Sequence, residues 1–188
     1  MFRHIGTQTI KTERLILRKF KCDDAIEVYN NWASNPNIQL DYGEPVYSSM
    51  EQVQEFLNKW ILNYEDDGFY KWAINLKENH VNIGQIAFCR VYEEVATAEI
   101  EYCIGEHYWG NRYALEALNA VIEFMFFNSD FNKLEAYHRK DNPKSGRVLE
   151  KTIMKRVPTV RRFELSAENT DSEICYAITK KEFIKNEK

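Results

Sequence analysis

The chain's 188 residues, 44% hydrophobic and 29% charged, suit one globular domain with enough Ile, Leu, Val, Phe and Tyr to fill a core. A formal net charge of −4 argues against nucleic acid as the main partner, since phosphate binding draws on clustered Lys and Arg. The opening Met1-Phe2-Arg3-His4-Ile5-Gly6-Thr7 lacks a signal peptide's apolar core, no stretch approaches bilayer-spanning length, and Cys22, Cys89, Cys103 and Cys175 have no paired spacing. The expectation is a cytoplasmic protein with buried free thiols and no membrane partner.

In chain order, Arg14-Leu15-Ile16-Leu17-Arg18 reads as a strand, and Lys21-Cys22-Asp23-Asp24 supplies helix-start residues. The helix that follows carries Ile26, Val28, Tyr29 and Trp32 and is expected to stop near Ser34-Asn35-Pro36, because proline disfavours helical geometry in the residue before it. Asp41 to Ser49, with Gly43 and Pro45, reads as a loop. A second helix opens at Ser48-Ser49-Met50-Glu51-Gln52 and repeats Val53, Phe56, Leu57, Trp60 and Ile61 at helical spacing.

After Asp66-Asp67-Gly68 the period changes to two. Tyr70, Trp72, Ile74 and Leu76 alternate, Asn79-His80 turns, and Ile83, Ile86 and Phe88 resume, as in a β-meander. The strand Ala98 to Gly105 sets Ile100, Tyr102 and Ile104 on one face and Glu99, Glu101 and Cys103 on the other. Tyr113 to Phe127 carries the wide apolar stripe of a helix lying on a sheet. Lys133 to Arg139 is a further strand, and Asp141-Asn142-Pro143 sets up a short helix, with Asn as cap and Pro in its first turn. A hairpin is expected from Arg162–Leu165 and Glu173–Ile178 across the turn Glu168-Asn169-Thr170-Asp171, followed by a charged, frayed tail from Lys180 to Lys188.

The strand, loop and helix from Ile100 to Phe127 have the form of an anion site, because a helix N-terminus offers unpaired N–H groups and the positive end of a dipole. Gly110 alone supports no more than a turn. Trp109-Gly110-Asn111-Arg112-Tyr113-Ala114 with Glu116-Ala117-Leu118, then Asn142-Pro143-Lys144-Ser145 with Val148-Leu149-Glu150-Lys151, together resemble the GNAT superfamily of N-acetyltransferases. The resemblance is to the branch containing the ribosomal-protein N-terminal (alanine/serine) acetyltransferases, and it runs from Thr12-Glu13-Arg14-Leu15 to the final hairpin.

The resemblance implies an α/β (α+β) fold, a single-domain acyl-CoA N-acyltransferase with a mixed, bent central sheet flanked by helices. Two parallel strands, here Ala98–Gly105 and Lys133–Arg139, would splay so that the pantetheine of acetyl-CoA pairs with the backbone of Cys103 and Ile104. The cofactor loop would run from Trp109 to Ala114, with the N–H groups of Gly110, Asn111, Arg112, Tyr113 and Ala114 holding the pyrophosphate. Asn142 and Ser145 would sit beside the other strand near the thiol, although Asn142 also reads simply as a helix cap and Ser145 as a residue of the first helical turn. The acceptor would be a primary amine, on a protein N-terminus or a small molecule. Dimers are common in this family, and the aromatic-rich hairpin region is the candidate interface for a homodimer.

Two positions depart from the family pattern: Arg112 stands where glycine is usual, and Ile153-Met154 replaces Gly-Phe. The Arg112 guanidinium either pairs with a CoA phosphate or obstructs it; the second reading would make the chain a catalytically degenerate ligand-sensing or interaction domain. Gly146 and Ile153 are expected to loosen the short helix.

For chemistry, an amine must lose a proton before attacking a thioester. Glu101, on the strand beside the expected thioester, is the first candidate base, and Glu99 shares its face. Ser145 is the candidate proton donor to the leaving thiolate, with Tyr137 second. Cys103 reads as a wall residue rather than a nucleophile. His4, His80, His107 and His138 have no metal-ligand spacing, so no metal is expected, and His107 reads as a surface turn. Trp32, Asp41, Tyr42, Glu44 and Tyr47 are the expected acceptor wall. Transfer of a larger acyl group such as succinyl would require room or a positive charge near the thioester.

Overall fold

The computed structural model describes residues 2–158 and 173–186. Among these residues, eight strands form one sheet in the order β1-β2-β3-β4-β5-β6-β8-β7. They are β1 (Ile10–Lys11), β2 (Leu15–Arg18), β3 (Lys71–Leu76), β4 (Asn82–Tyr92), β5 (Thr97–Ile104), β6 (Lys133–Arg139), β7 (Lys155–Val157) and β8 (Glu173–Thr179). Every neighbouring pair is antiparallel except β5 with β6. This is the mixed sheet that the resemblance implies.

Period-two alternation divides the core between the two faces. On one face Leu15, Leu17, Trp72, Ile74, Ile86 and Ile100 pack against Leu118, Val121, Ile122, Met125 and Phe126 of α4 (Tyr113–Asn128). On the other, Ala73 and Cys103 pack under Val28 of α1 (Ala25–Val28), Trp32 and Ala33 of the π-helical turn that extends it, Ile38 of α2 (Pro36–Tyr42), and Val53, Phe56 and Leu57 of α3 (Met50–Asn63).

Helix α2 occupies part of what the sequence suggested as loop. Proline bars helical geometry before itself, not after it. Asn35 stays extended, its side chain accepts the Asn37 N–H, and Pro36 takes the first helical position. Gly43, at φ 81°, ends the helix by donating its N–H to the Gln39 carbonyl at 2.8 Å.

The C-terminal tail also differs from expectation. Lys180–Asn186 forms α6, whose buried Phe183 packs on Phe126 and Phe127 with ring centroids 5.5 and 5.7 Å apart. One buried apolar residue in a charged segment is enough to dock it. The strand expected at 162–165 and the turn at 168–171 lie outside the described residues; β8 pairs with β6 on one side and β7 on the other.

Glu116, in the first turn of α4, fixes that helix to the edge of the sheet. Its carboxylate accepts the Thr12 hydroxyl at 2.5 Å, the Arg14 N–H at 2.9 Å and Arg14 Nε at 2.8 Å. The Arg14 guanidinium also covers the Tyr113 ring at 4.6 Å. The Thr12-Glu13-Arg14-Leu15 opening thus acts as an anchor for α4. Burial pushes the Glu116 carboxyl upward, but the bonds from Thr12 and Arg14 outweigh it and hold the group below the usual carboxylate range.

Glu116→Gln is therefore expected to cost about 1–2 kcal/mol near neutral pH. Because the folded-state pKa is depressed, this stabilisation is present above the unfolded pKa of about 4.3 and is lost as pH falls through the lower folded value. Urea melts of both proteins at neutral and acid pH check this: the gap should close in acid, and a constant gap would exclude the assignment.

Candidate active site

The parallel ladder of β5 and β6 holds four register pairs, from Thr97 opposite Lys133 to Ile100 opposite Ala136. It then stops, although β5 continues to Ile104 and β6 to Arg139. The strands part there, and a cleft of about 420 Å³ opens between the end of β5, the start of α4 and α5 (Pro143–Leu149). Tyr102 crosses the gap, donating its hydroxyl to the Ser145 carbonyl at 3.3 Å.

The loop into α4 holds one wall. Trp109 Nε1 donates to the Ile104 carbonyl at 2.7 Å, tying the loop to the end of β5. Gly110 (φ 81°) and Arg112 (φ 63°) both adopt left-handed backbone, which glycine takes freely and arginine takes at a cost of about 1–2 kcal/mol. An added Cβ at Gly110 would meet nothing within 4 Å, so its conformation rather than crowding favours glycine.

Helix α5 holds the other wall. Asn142 is buried and caps it, its side chain accepting the Ser145 N–H at 3.2 Å. Gly146 faces the His138 ring on β6; a Cβ there would lie 2.8 Å from His138 Cε1. This glycine lets α5 close onto the strand, where the sequence suggested loosening. The helix also ends without the family's usual glycine, because Thr152 donates its hydroxyl to the Leu149 carbonyl at 2.7 Å and accepts the Met154 N–H at 3.1 Å. Met154 is thereby buried in the core.

Charge in the cleft runs against that of the chain. Arg112, Lys144, Arg147 and Lys151 line it, against one acid, Asp41, which faces Arg139 at 3.8 Å. The Lys144 ammonium lies 4.1 Å from the centroid of the Trp109 ring. A local excess of cations in an otherwise acidic protein suits a polyanionic ligand.

Beside the cleft, the face of β5 opposite α4 carries a polar network. Glu101 Oε1 accepts the Tyr42 hydroxyl at 2.5 Å and lies 3.5 Å from Lys71 Nζ. Tyr42 lines the cleft; Glu101 does not. Burial first, then the Glu101 charge, drives the Tyr42 hydroxyl well above its ordinary pKa, so it stays a donor. Desolvation and Glu101 also raise Glu44, with Lys71 opposing. Burial pushes the Cys103 thiol up to about 12, which makes it inert as a nucleophile.

The sequence model described as an acetyltransferase (GNAT) domain matches residues 14–155. The chain belongs to the GNAT family of N-acetyltransferases. It is 25% identical over 177 residues to the uncharacterized N-acetyltransferase p20 of Bacillus licheniformis, covering 94% of this chain and 98% of that one. Among solved structures, a GNAT-family acetyltransferase from Bacillus anthracis superposes with a TM-score of 0.75 and 26% identity, over 93% of this chain and 99% of its own. A putative ribosomal-protein-serine acetyltransferase from Vibrio cholerae shares the fold at a TM-score of 0.76 and 23% identity, over 92% and 97%. Acetyl-CoA is the acetyl donor of this GNAT family.

Of the residues singled out from sequence, this GNAT fold gathers Cys103, Ile104, Trp109, Gly110, Arg112, Tyr113, Ala114, Asn142 and Ser145 around one cleft. Asn111 is exposed and turns inward on its own loop, donating to the carbonyls of Tyr108 and Trp109. Glu99 is buried beside Arg90, and Tyr137 donates to Glu135; neither lines the cleft. His107 is exposed.

The expected acceptor wall also divides. Trp32 is buried in the core with its Nε1 donating to Asn82 at 2.9 Å, so it is no wall residue: its helical phase turns it inward. Tyr47 packs on Phe56 with centroids 4.6 Å apart, whereas Asp41 and Tyr42 line the cleft. Sequence reasoning missed Lys144, Arg147 and Lys151 as cleft residues, although basic side chains spaced three and four apart along α5 and the turn after it were a readable signal. Among the described residues no three His, Cys, Asp or Glu side chains gather as a metal-holding group, and no helix is long and apolar enough to cross a membrane.

One glycine underlies the floor of the cleft. Gly84 on β4 pairs with Ile104, and a Cβ there would lie 2.2 Å from the Cys103 carbonyl oxygen. Gly84→Ala must push β5 away and is expected to destabilise the fold by about 1–3 kcal/mol. Chemical denaturation measures the loss; an unchanged midpoint would show that the two strands can separate at no cost.

Proposed function

We propose that this cleft binds acetyl-CoA and that the chain transfers its acetyl group to a primary amine arriving on the Glu101–Tyr42 side. The observation that carries the reading is the parting of β5 from β6 directly beside a cation-lined helix N-terminus. The backbone of Cys103 and Ile104, no longer paired to β6, can take up an extended pantetheine as a strand takes up its neighbour. The N–H groups from Gly110 to Ala114 suit a pyrophosphate at the positive end of α4. Arg112, Lys144, Arg147 and Lys151 supply countercharge.

When bound, acetyl-CoA supplies an activated acetyl thioester. The protein's part is to orient and to move protons. An amine of pKa about 8 to 10 arrives as ammonium and must become neutral. Glu101 is the base in this reading, and the Tyr42 hydroxyl that joins it to the cleft extends its reach. Ser145, in the first turn of α5, is the donor to the departing thiolate. A backbone N–H of β5 polarises the carbonyl. No covalent intermediate is needed, in keeping with the buried Cys103 thiol.

A protein N-terminus and a small-molecule amine both fit this chemistry. A thiol-release assay against amines of both kinds tests the reading: calorimetric binding of acetyl-CoA with no release toward any amine would count against it. Glu101→Gln should lower kcat by about 10²–10⁴-fold while leaving acetyl-CoA binding intact. Arg112→Gly should separate two effects of one side chain. It removes a left-handed arginine and is expected to raise stability by up to about 1 kcal/mol. It also removes a phosphate partner and is expected to weaken acetyl-CoA binding by roughly tenfold. Tighter binding by the glycine variant would instead show that Arg112 obstructs the site.

A further inference from the structure

Lys71 is a lysine where the sheet face offers little reason for one. It lies on β3, is only 9% exposed, and its ammonium sits 4.3 Å from the centroid of the Trp60 ring. Register places Lys71 beside Ala87 and Ala87 beside Glu101, in one row across three strands. Because the middle residue is alanine, the lysine side chain can cross over it and reach β5.

There it closes a ring of polar contacts. Lys71 Nζ donates to Gln85 Oε1 at 3.0 Å and lies 3.5 Å from Glu101 Oε1. Gln85 Nε2 donates to the Tyr42 hydroxyl at 2.7 Å, and that hydroxyl donates to the same Glu101 Oε1 at 2.5 Å. Each group fixes the next: the Gln85 amide can satisfy both neighbours in one orientation only, and that orientation makes the Tyr42 hydrogen point at Glu101. A buried ammonium is costly, and an apolar side chain of similar volume is often as stable or more so. The contact with Trp60 offsets part of that cost, but stability is weak ground for a lysine here, whereas orientation of the carboxylate accounts for it.

We propose that Lys71, acting with Gln85, is a positioning residue for acetyl transfer, holding the Glu101 carboxylate and the Tyr42 hydroxyl in one fixed relation at the rim of the cleft. The proposal rests on the reading of Glu101 as the base. Lys71 touches neither acetyl-CoA nor the acceptor in this account and acts through the other members of the ring.

Lys71→Met keeps the packing on Trp60 and removes the charge; Lys71→Arg keeps the charge. With the amine that gives most thiol release in the wild type, the methionine variant should lose about 10²-fold in kcat, since small displacements of a catalytic group cost that much. Its KM for acetyl-CoA should stay within about twofold, and the arginine variant should recover a large part of the loss. A residue that served folding alone would move the melting temperature and would show no such split. Unchanged kcat, a loss appearing in KM for acetyl-CoA, or an arginine variant no better than methionine would each overturn the proposal.

A crystal structure of the methionine variant gives a second readout that needs no acceptor: Glu101 should turn away from Tyr42. If Tyr42 and Glu101 keep their hydrogen bond unchanged, Lys71 positions nothing and the proposal fails. If the wild type and all variants are silent toward every amine, the base reading fails first, and the crystal structure alone decides the positioning role.

Discussion

The parting of β5 and β6 after four register pairs is the constraint on which the functional site depends. Two parallel strands that stayed paired to their ends would satisfy each other's backbone groups and leave no opening. Here β5 remains paired to β4 along its whole length while β6 remains paired to β8, so each strand is held by its outer neighbour as the inner ladder ends. Gly84 permits the close approach of β4 to β5, Gly146 permits that of α5 to β6, and Glu116 fixes the start of α4. The cleft is thus a consequence of packing on both flanks rather than a gap in an otherwise loose structure.

The charge distribution follows the same division. The chain is acidic as a whole, yet the cleft gathers four cations against one acid, while Glu44, Glu101 and Lys71 lie beside it, on the side where the proposed reading brings the acceptor. A polyanionic donor and a cationic acceptor would approach complementary surfaces that meet at Tyr42. Its hydroxyl stands between the two regions as a donor that burial keeps protonated.

Much of the fold was legible because its signals are local. Strict alternation in β5 announced which side chains share a face, and the stripe on α4 announced a helix lying on a sheet. The Asn-Pro pair at 142–143 signals the helix start that the structure shows. The same pair at 35–36 both closes one helical segment and opens the next, since proline restricts the residue before it and suits the first turn after it, and the sequence pattern displays only the first of these. The helix at 180–186 was hidden for a different reason: two adjacent apolar residues, Phe183 and Ile184, among charges give no periodic signal, and only the presence of Phe126 and Phe127 beside Phe183 makes a helix worth forming.

The sequence by itself determined most of the alternating and helical segments, the loop at Trp109 to Ala114 and its likeness to a family, because these depend on residues near one another in the chain. It also named Glu101 and Tyr42, but as members of separate groups. Only the tertiary structure decided that Tyr42 donates to Glu101, that Lys71 reaches across Ala87 to join them, and that Trp32 belongs to the core. The Tyr42–Glu101 and Trp32–Asn82 contacts span 59 and 50 residues along the chain. They are fixed by strand register and by which elements pack together across the sheet, which no local pattern of side chains records.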